Sequence, residues 1–220
     1  MQDNFTDILS RAASGLGIRL GEREISLFRM YERELLLWNN RINLIRLKTP
    51  VDLPVKHCVD SLIPLKFIAA RSASLLDIGS GAGFPGIPLK IAADSLAVTL
   101  MEASRKKASF LKYVVSTLGL TRIDVLQSRA ESLAGRENYK GAYEIVVSRA
   151  AFKLSEFVAL ATPFLSPSGI VIAMKGRGIQ QELEAALPEL HALGLKVRER
   201  AELRLPVTGD TRNIIIITRY

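Results

Sequence analysis

Apolar residues recur along this chain in two rhythms. In "EREISLFRMYERELLLWNNRINL", Ile25, Phe28, Tyr31, Leu35, Trp38 and Ile42 return every three or four residues and make one stripe of a helix, with Glu24, Arg29 and Glu32 between them. The stretch "TPVDLP", with Pro50 and Pro54, breaks this helix and leads into "VKHCVDSLIPLKFI", a second helical candidate interrupted at Pro64. From Ala73 onward the rhythm changes to short β-branched runs separated by helical stretches. The predicted strands are "SLLDI" (74–78), "AVTLM" (97–101), "IDVLQ" (123–127), "EIVVS" (144–148), "IVIAM" (170–174) and "NIIIIT" (213–218). Among the helices between them, "SRKKASFLKYVVSTLG" places Phe110, Leu111, Val114, Val115 and Leu118 on one face, with Ser104 to cap its start and Gly119 to end it. Near-continuous apolar strands alternating with helices predict an α/β fold, a parallel sheet covered on both faces. The organisation is thus a small helical element over 1–70 and a sheet domain over 71–220.

In such a sheet, ligands collect outside the carboxyl ends of the strands, near the point where strand order reverses. The first strand is followed by Gly79-Ser-Gly81-Ala-Gly83 and the second by Glu102. Ser128-Arg129-Ala130-Glu131 follows the third, Arg149-Ala150 the fourth, and Lys175-Gly176 the fifth. Glycines at 79, 81 and 83 permit positive φ and let a ligand lie against bare backbone. A helix start near Pro85 would aim its positive end at the same place, but Pro85 and Pro88 each remove an amide, which makes a poor pyrophosphate cradle. Gly81-Ala-Gly83-Phe-Pro-Gly86 matches the G-x-G-x-x-G dinucleotide pattern, but three residues after the strand's Ile78 rather than immediately after it. Read from Gly79, in the expected register, Phe84 occupies the third glycine position. A ligand with an adenosyl group and no pyrophosphate fits better, its ribose diol held by the Glu102 carboxylate; S-adenosylmethionine is such a ligand. A solvated acid at a strand end is the plainer alternative for Glu102.

Composition narrows the setting. Thirty Lys and Arg against 22 Asp and Glu give a formal charge of +8, with a sequence pI near 9.8, which favours polyanionic partners. The single cysteine, Cys58, excludes an intramolecular disulfide framework and suits a reducing compartment. With no apolar run near the roughly 20 residues of a membrane span and no secretory pattern at the start, cytoplasm is the expected location and no membrane partner is expected. Two histidines without a cysteine cluster predict no metal site.

Specific segments sharpen this. "LLDIGSGAGFPGIPL", "SRAESL", "VVSRAAF", "MKG" and "LPVTGDTRNIIII", with "LLWNNRINLI" and "KHCVDSL" before them, resemble the bacterial small-subunit rRNA guanine-N7 methyltransferases, the glucose-inhibited division protein B family. The likeness runs from about residue 25 to the C-terminus. It implies a Rossmann-like class I S-adenosylmethionine-dependent methyltransferase with about seven strands, mostly parallel, and a small, RNA-facing helical N-terminal element. It also implies methylation of N7 of guanine 527 in 16S rRNA, on the free RNA or the small ribosomal subunit, by a monomer. Where the family usually reads Asn-Leu-Thr, this chain has Asn43-Leu44-Ile45.

The resemblance carries cofactor contacts to Gly79 and Phe84, to Ala130 and Glu131, and to Arg149, alongside Gly81 and Glu102 from the glycine turn's own logic. Phe84 would cover an apolar flank of the ligand, Ala130 and Glu131 would meet the adenine edge, and Arg149 would pair with the methionine carboxylate. A core phenylalanine and a surface arginine are the plainer alternatives for Phe84 and Arg149. Guanine N7 offers a neutral lone pair, so no catalytic base is required and none is assigned. Asn43, His57 and Arg129 are candidates for positioning substrate, although a structural bond between His57 and Asp60, three residues on, would also explain the histidine. Candidates for RNA contact are Arg41, Arg46, Lys48, Lys56, Arg105, Lys106, Lys107, Lys175, Arg177 and Arg212. Two rival functions remain open at this stage: a nicotinamide-dependent oxidoreductase using the Gly81–Gly86 match, and a non-catalytic RNA-binding or ribosome-assembly protein using the basic faces.

Overall fold

The structure, a computed structural model, describes residues 4–70, 72–149 and 151–220, so Ala150 lies outside it. Seven strands form one sheet: β1 (Ser74–Ile78), β2 (Ala97–Met101), β3 (Ile123–Leu126), β4 (Tyr143–Arg149), β5 (Leu165–Lys175), β6 (Leu195–Arg204) and β7 (Thr211–Arg219). Their order is β3-β2-β1-β4-β5-β7-β6; β7 runs antiparallel to both neighbours and the other pairs are parallel. Strand order reverses between β1 and β4, which opens the crevice at their carboxyl ends.

Six strands coincide with the apolar runs, and β6 is the one those runs do not announce. Its Leu195, Val197, Ala201 and Leu203 do alternate with charged residues, but Glu199 interrupts the alternation where a register shift falls between Val197 and Glu199. The strand lies at the sheet's edge, where exposed charges discourage pairing with another chain.

Helices cover both faces. On one side pack α1 (Asn4–Gly15), α2 (Glu22–Asn39), α3 (Gly86–Ala92) and α4 (Arg105–Thr117), whose buried residues form one continuous core with that face of the sheet. On the other lie α5 (Leu154–Ala161) and α6 (Ile179–Ala192). In α4, Phe110, Leu111 and Val114 are buried and Gly119 takes φ +62°, as the sequence predicts. Ser104 precedes the helix, but its side chain makes no cap bond.

The helical N-terminal region departs from prediction in detail. α2 ends well before Pro50, because Asn39 Oδ1 accepts the amides of Leu44 and Ile45, each at 2.9 Å, and so offers the backbone an alternative to the helix. Ile42 and Ile45 therefore lie in a loop, half-buried against the core. A π-helical segment, Asp52–Val59, runs directly into a 3-10 segment, Asp60–Lys66. Pro54 does not separate two helices; it sits in the first turn of the π segment, where a missing amide costs nothing.

Candidate active site

The glycine turn after β1 has two different halves. Gly79 and Gly81 take φ +76° and +59°; a Cβ on Gly81 would meet nothing nearer than 3.9 Å, so its backbone faces open space, whereas one on Gly79 would meet Ala151 and Phe152 at 3.3 Å. Gly83 and Gly86 instead face protein. A Cβ on Gly86 would come within 2.3 Å of Leu100 Cδ2, and one on Gly83 within 2.4 Å of Ile87 Cδ1. The expected helix terminus does not reach a ligand either: the Gly86 amide donates to Asp77 Oδ2 at 2.9 Å, and α3 is only seven residues long. Asp77 is fully buried, and burial pushes its carboxyl up to about 7.

Glu102, at the end of β2, closes the open half. Its Oε2 accepts the Gly81 amide at 2.9 Å and its Oε1 the Ser104 amide at 2.7 Å. Each carboxylate oxygen keeps a lone pair for a hydroxyl donor. Around them is a cleft of about 200 Å³ lined by Gly79, Glu102, Arg129, Ala130, Glu131 and Phe152, among others. The carboxyl ends of three strands thus converge on one cleft, where the Glu102 carboxylate lies beside bare backbone and Glu131 and Arg129 also line the wall.

Across β4 lies a second, basic cleft of about 370 Å³, lined by Lys56, His57, Asp60, Arg149, Lys175 and Arg212 with Met174 and Gly176. Arg149 joins it to the glycine turn. Its guanidinium sits 4.8 Å from the Phe84 ring centroid and donates to the Lys56 carbonyl at 2.9 Å. It also stands 3.4 Å from Asp60 Oδ2 and 3.1 Å from His57 Nδ1. A guanidinium only donates, so that nitrogen of His57 is unprotonated. Burial, with the Arg149 charge second, lowers His57 to about 4, and the ring also bonds the Arg46 backbone. His57 is therefore a neutral bracket between β4 and the Asn43–Arg46 loop, and its partner is Arg149 rather than Asp60. Asp60 is buried and also accepts from Arg212 Nε at 3.0 Å; burial raises its carboxyl and the two guanidiniums pull it back. Phe84 is buried, its ring packed against Tyr31, His57 and Arg149.

The family model for rRNA small subunit methyltransferase G matches residues 24–208. A protein named ribosomal RNA small subunit methyltransferase G from Syntrophus aciditrophicus (strain SB) is 43% identical over 213 residues, covering 96% of this chain and 88% of the relative. A protein of the same name from Geobacter sp. (strain M21) is 41% identical over 219 residues, with both chains fully covered. This chain belongs to the rRNA small subunit methyltransferase G family. Among solved structures, the M. jannaschii TYW2 complex with AdoMet superposes with a TM-score of 0.58 at 15% identity, covering 74% of this chain and 76% of that one. The ribosomal protein L11 methylase from Lactobacillus delbrueckii subsp. bulgaricus gives 0.56 at 14%, covering 74% and 78%. At those identities the likeness is one of fold.

Within this member of the methyltransferase G family, the residues singled out in the sequence fall into three places. Gly79, Glu102, Arg129, Ala130 and Glu131 line the smaller cleft, and Gly81 is bonded to its acid. His57, Arg149, Lys56, Lys175 and Arg212 line the basic cleft. Asn43, Arg41, Arg46, Lys48, Arg105, Lys106 and Arg177 are exposed outside both, and Lys107 is half-buried. Two residues with a part in the site carry no sequence signal strong enough to single them out, and a third, Asp60, is named from the sequence only as a neighbour of His57. Phe152 walls the smaller cleft, Tyr31 donates to the Ala82 carbonyl inside the glycine turn, and Asp60 links the two arginines. Phe152 does close the "VVSRAAF" segment of the resemblance; Tyr31 reads only as one more stripe residue.

Proposed function

We propose that this protein transfers the methyl group of S-adenosylmethionine to N7 of guanine 527 in 16S rRNA. The observation that carries the reading is the convergence of a bare Gly79–Gly81 backbone, the Glu102 carboxylate and the Ala130–Glu131 turn on one cleft beside a basic one. That donor set fits an adenosyl ligand: Glu102 has lone pairs free for a ribose diol, Gly81 leaves room against its backbone, and Phe152, Leu160 and Ala130 offer apolar cover. When bound, S-adenosylmethionine supplies an electrophilic methyl on a sulfonium.

The protein's share of the chemistry is positioning and exclusion of water. Guanine N7 has a free lone pair, so no side chain needs to remove a proton, and the site agrees. His57 is held neutral by burial and by its donor Arg149, and burial drives the Cys58 thiol far above its ordinary range, leaving no thiolate for attack on a base. Arg149 retains donors beyond its three present bonds and faces the seam between the clefts, in reach of a role toward the methionine carboxylate. The basic cleft, with Lys56 and Arg212, receives the RNA strand and the target base, and the exposed arginines of the Arg41–Lys48 loop extend that track over the helical N-terminal element. The working partner is 16S rRNA or the small ribosomal subunit, approached by a monomer in the cytoplasm. No described helix is long and apolar enough to cross a membrane, and among the described residues no cluster is arranged to hold a metal.

A nicotinamide enzyme would need the Gly83–Gly86 half of the turn for its pyrophosphate, and that half is packed against Ile87, Leu100 and Asp77. The test is mass mapping of 16S rRNA from cells with and without the gene, paired with a melting curve of the purified protein. A methyl group gained at guanine 527, and about 2.7 kcal/mol of stabilisation at cofactor one hundredfold above its Kd, are expected. An unmodified guanine 527 in both strains defeats the target assignment, and a melting curve indifferent to cofactor defeats the binding site.

A further inference from the structure

One cation of the basic cleft, Lys175, makes two short bonds within the protein. Lys175, the last residue of β5, has only 10% of its side chain exposed, and its ammonium donates to the carbonyl of Phe152 at 2.5 Å and to Glu182 Oε1 at 2.6 Å. The same Glu182 oxygen, on α6, accepts the amide of Leu154 at 2.6 Å. One ion pair therefore grips the backbone of the segment between β4 and α5 at two points, the carbonyl of Phe152 and the amide that opens α5. The side chain of Phe152 stands on the far side of that segment. It lines the cofactor cleft, stacks on Phe157 at a centroid distance of 6.4 Å, and lies where a Cβ on Gly79 would meet it at 3.3 Å.

We infer that Lys175 and Glu182 are positioning residues for the cofactor cleft rather than RNA contacts, acting by holding the Phe152 ring as its wall against Gly79. The inference rests on the proposal that this cleft binds S-adenosylmethionine. A lysine reaching for phosphate is normally solvated and unpaired within the protein; this one lies at the lip of the basic cleft with its charge neutralised by Glu182 and its remaining reach spent on a backbone carbonyl. Because Phe152 has only a short loop on either side, release of its carbonyl lets the ring swing from the cleft, and a wall displaced by about 1 Å weakens what it encloses.

The experiment titrates S-adenosylmethionine by calorimetry, and a hairpin RNA containing the guanine-527 loop by anisotropy, into wild type, Lys175→Met, Glu182→Ala, Glu182→Gln and Phe152→Ala. Expected is a rise of about tenfold in the cofactor Kd for Lys175→Met, Glu182→Ala and Phe152→Ala, with RNA affinity within about twofold of wild type. Glu182→Gln keeps an acceptor for both the Leu154 amide and the ammonium, so it restores most of the cofactor affinity lost in Glu182→Ala; a role confined to overall stability predicts no such grading in Kd among folded variants. RNA affinity lost with cofactor Kd unchanged overturns the inference and makes Lys175 an RNA contact. If either charge variant fails to fold, Phe152→Ala decides, and an unchanged cofactor Kd there overturns it equally. Wild type that binds no S-adenosylmethionine defeats the cofactor proposal itself, whereas wild type that binds it as the variants do defeats only the positioning role.

Discussion

The glycines of one turn show how identical residues serve opposite ends. Gly81 needs its positive φ and faces open space, so Gly81→Ala costs roughly 1–2 kcal/mol of backbone strain yet leaves the core undisturbed. Gly86 has an ordinary backbone but no room, with Leu100 Cδ2 at 2.3 Å from the would-be Cβ and Asp77 behind it. Gly86→Ala therefore overpacks the core, at a cost of about 3 kcal/mol. Denaturant unfolding and cofactor titration of the two variants should separate them: the first keeps most of its stability and loses cofactor affinity, the second loses stability first. His57 gives a residue-level prediction of different kind. It titrates at about 4 in the folded protein against 6.5 for an ordinary histidine, so between those values the unfolded chain binds more protons and stability rises with pH. Its contribution is complete above pH 6.5 and is lost as pH falls toward 4, a swing of roughly 3 kcal/mol at about 1.4 per unit. Asp77, raised toward 7, slopes the opposite way, so the comparison must be between wild type and His57→Gln rather than of wild type alone. Urea melts from pH 7 to 4 should show the variant losing less stability than wild type; parallel curves would mean that folding leaves the ring's proton affinity unchanged.

At the scale of elements, helix α2 is tied to the glycine turn by one side chain. Tyr31 is fully buried, its hydroxyl donates to the Ala82 carbonyl, and its ring packs on Phe84 at 5.5 Å between centroids. Tyr31→Phe keeps the ring and strands a buried carbonyl, so it should cost about 1–2 kcal/mol and weaken cofactor binding several-fold, read by calorimetry on the folded variant. Cofactor affinity equal to wild type would show that the turn holds its shape without α2. That bond also marks where sequence reading stops. The strands were legible because Leu75, Leu76, Val146, Val147 and Ile214–Ile217 lie in continuous apolar runs that only a doubly covered sheet explains, and the acid of the site because Glu102 ends such a run. Tyr31 was legible as a buried position but not as a hydroxyl aimed at a particular carbonyl 51 residues away. The apolar stripe points to a helix reaching the prolines, whereas Asn39, a residue common at helix ends and loops alike, ends α2 through bonds to amides five and six residues on. Strand β6 was lost because Glu199, beside a register shift, interrupts an otherwise readable alternation. Phe84 and Arg149, in turn, met each other across the turn, an encounter between two elements that neither local pattern contains.

Across the whole molecule, the +8 charge is spent in two ways. In the basic cleft the cations are largely held by the protein itself, Lys56 by Asp52 at 3.0 Å, Arg149 and Arg212 by Asp60, and Lys175 by Glu182. Such groups are fixed in place and already partly neutralised, which suits orientation of a base more than long-range attraction. The exposed Arg41, Arg46 and Lys48 flank the Asn43 loop, which the His57 ring bonds at Arg46 and through which the basic cleft continues onto the N-terminal helices. Counterions around single-stranded RNA are released by such solvated cations, each phosphate neutralised contributing about 0.7 to the slope of log K against log salt. Replacing Arg41, Arg46 and Lys48 together with alanine should therefore flatten that slope by about 2 for the guanine-527 hairpin, while S-adenosylmethionine affinity, set within the smaller cleft that none of the three lines, stays as it was. Anisotropy titrations at several potassium chloride concentrations give the slope directly. A slope unchanged by the triple replacement would move the RNA track off the N-terminal element and leave α4, with Arg105 and Lys106 exposed at its start, as the face that meets the ribosomal RNA.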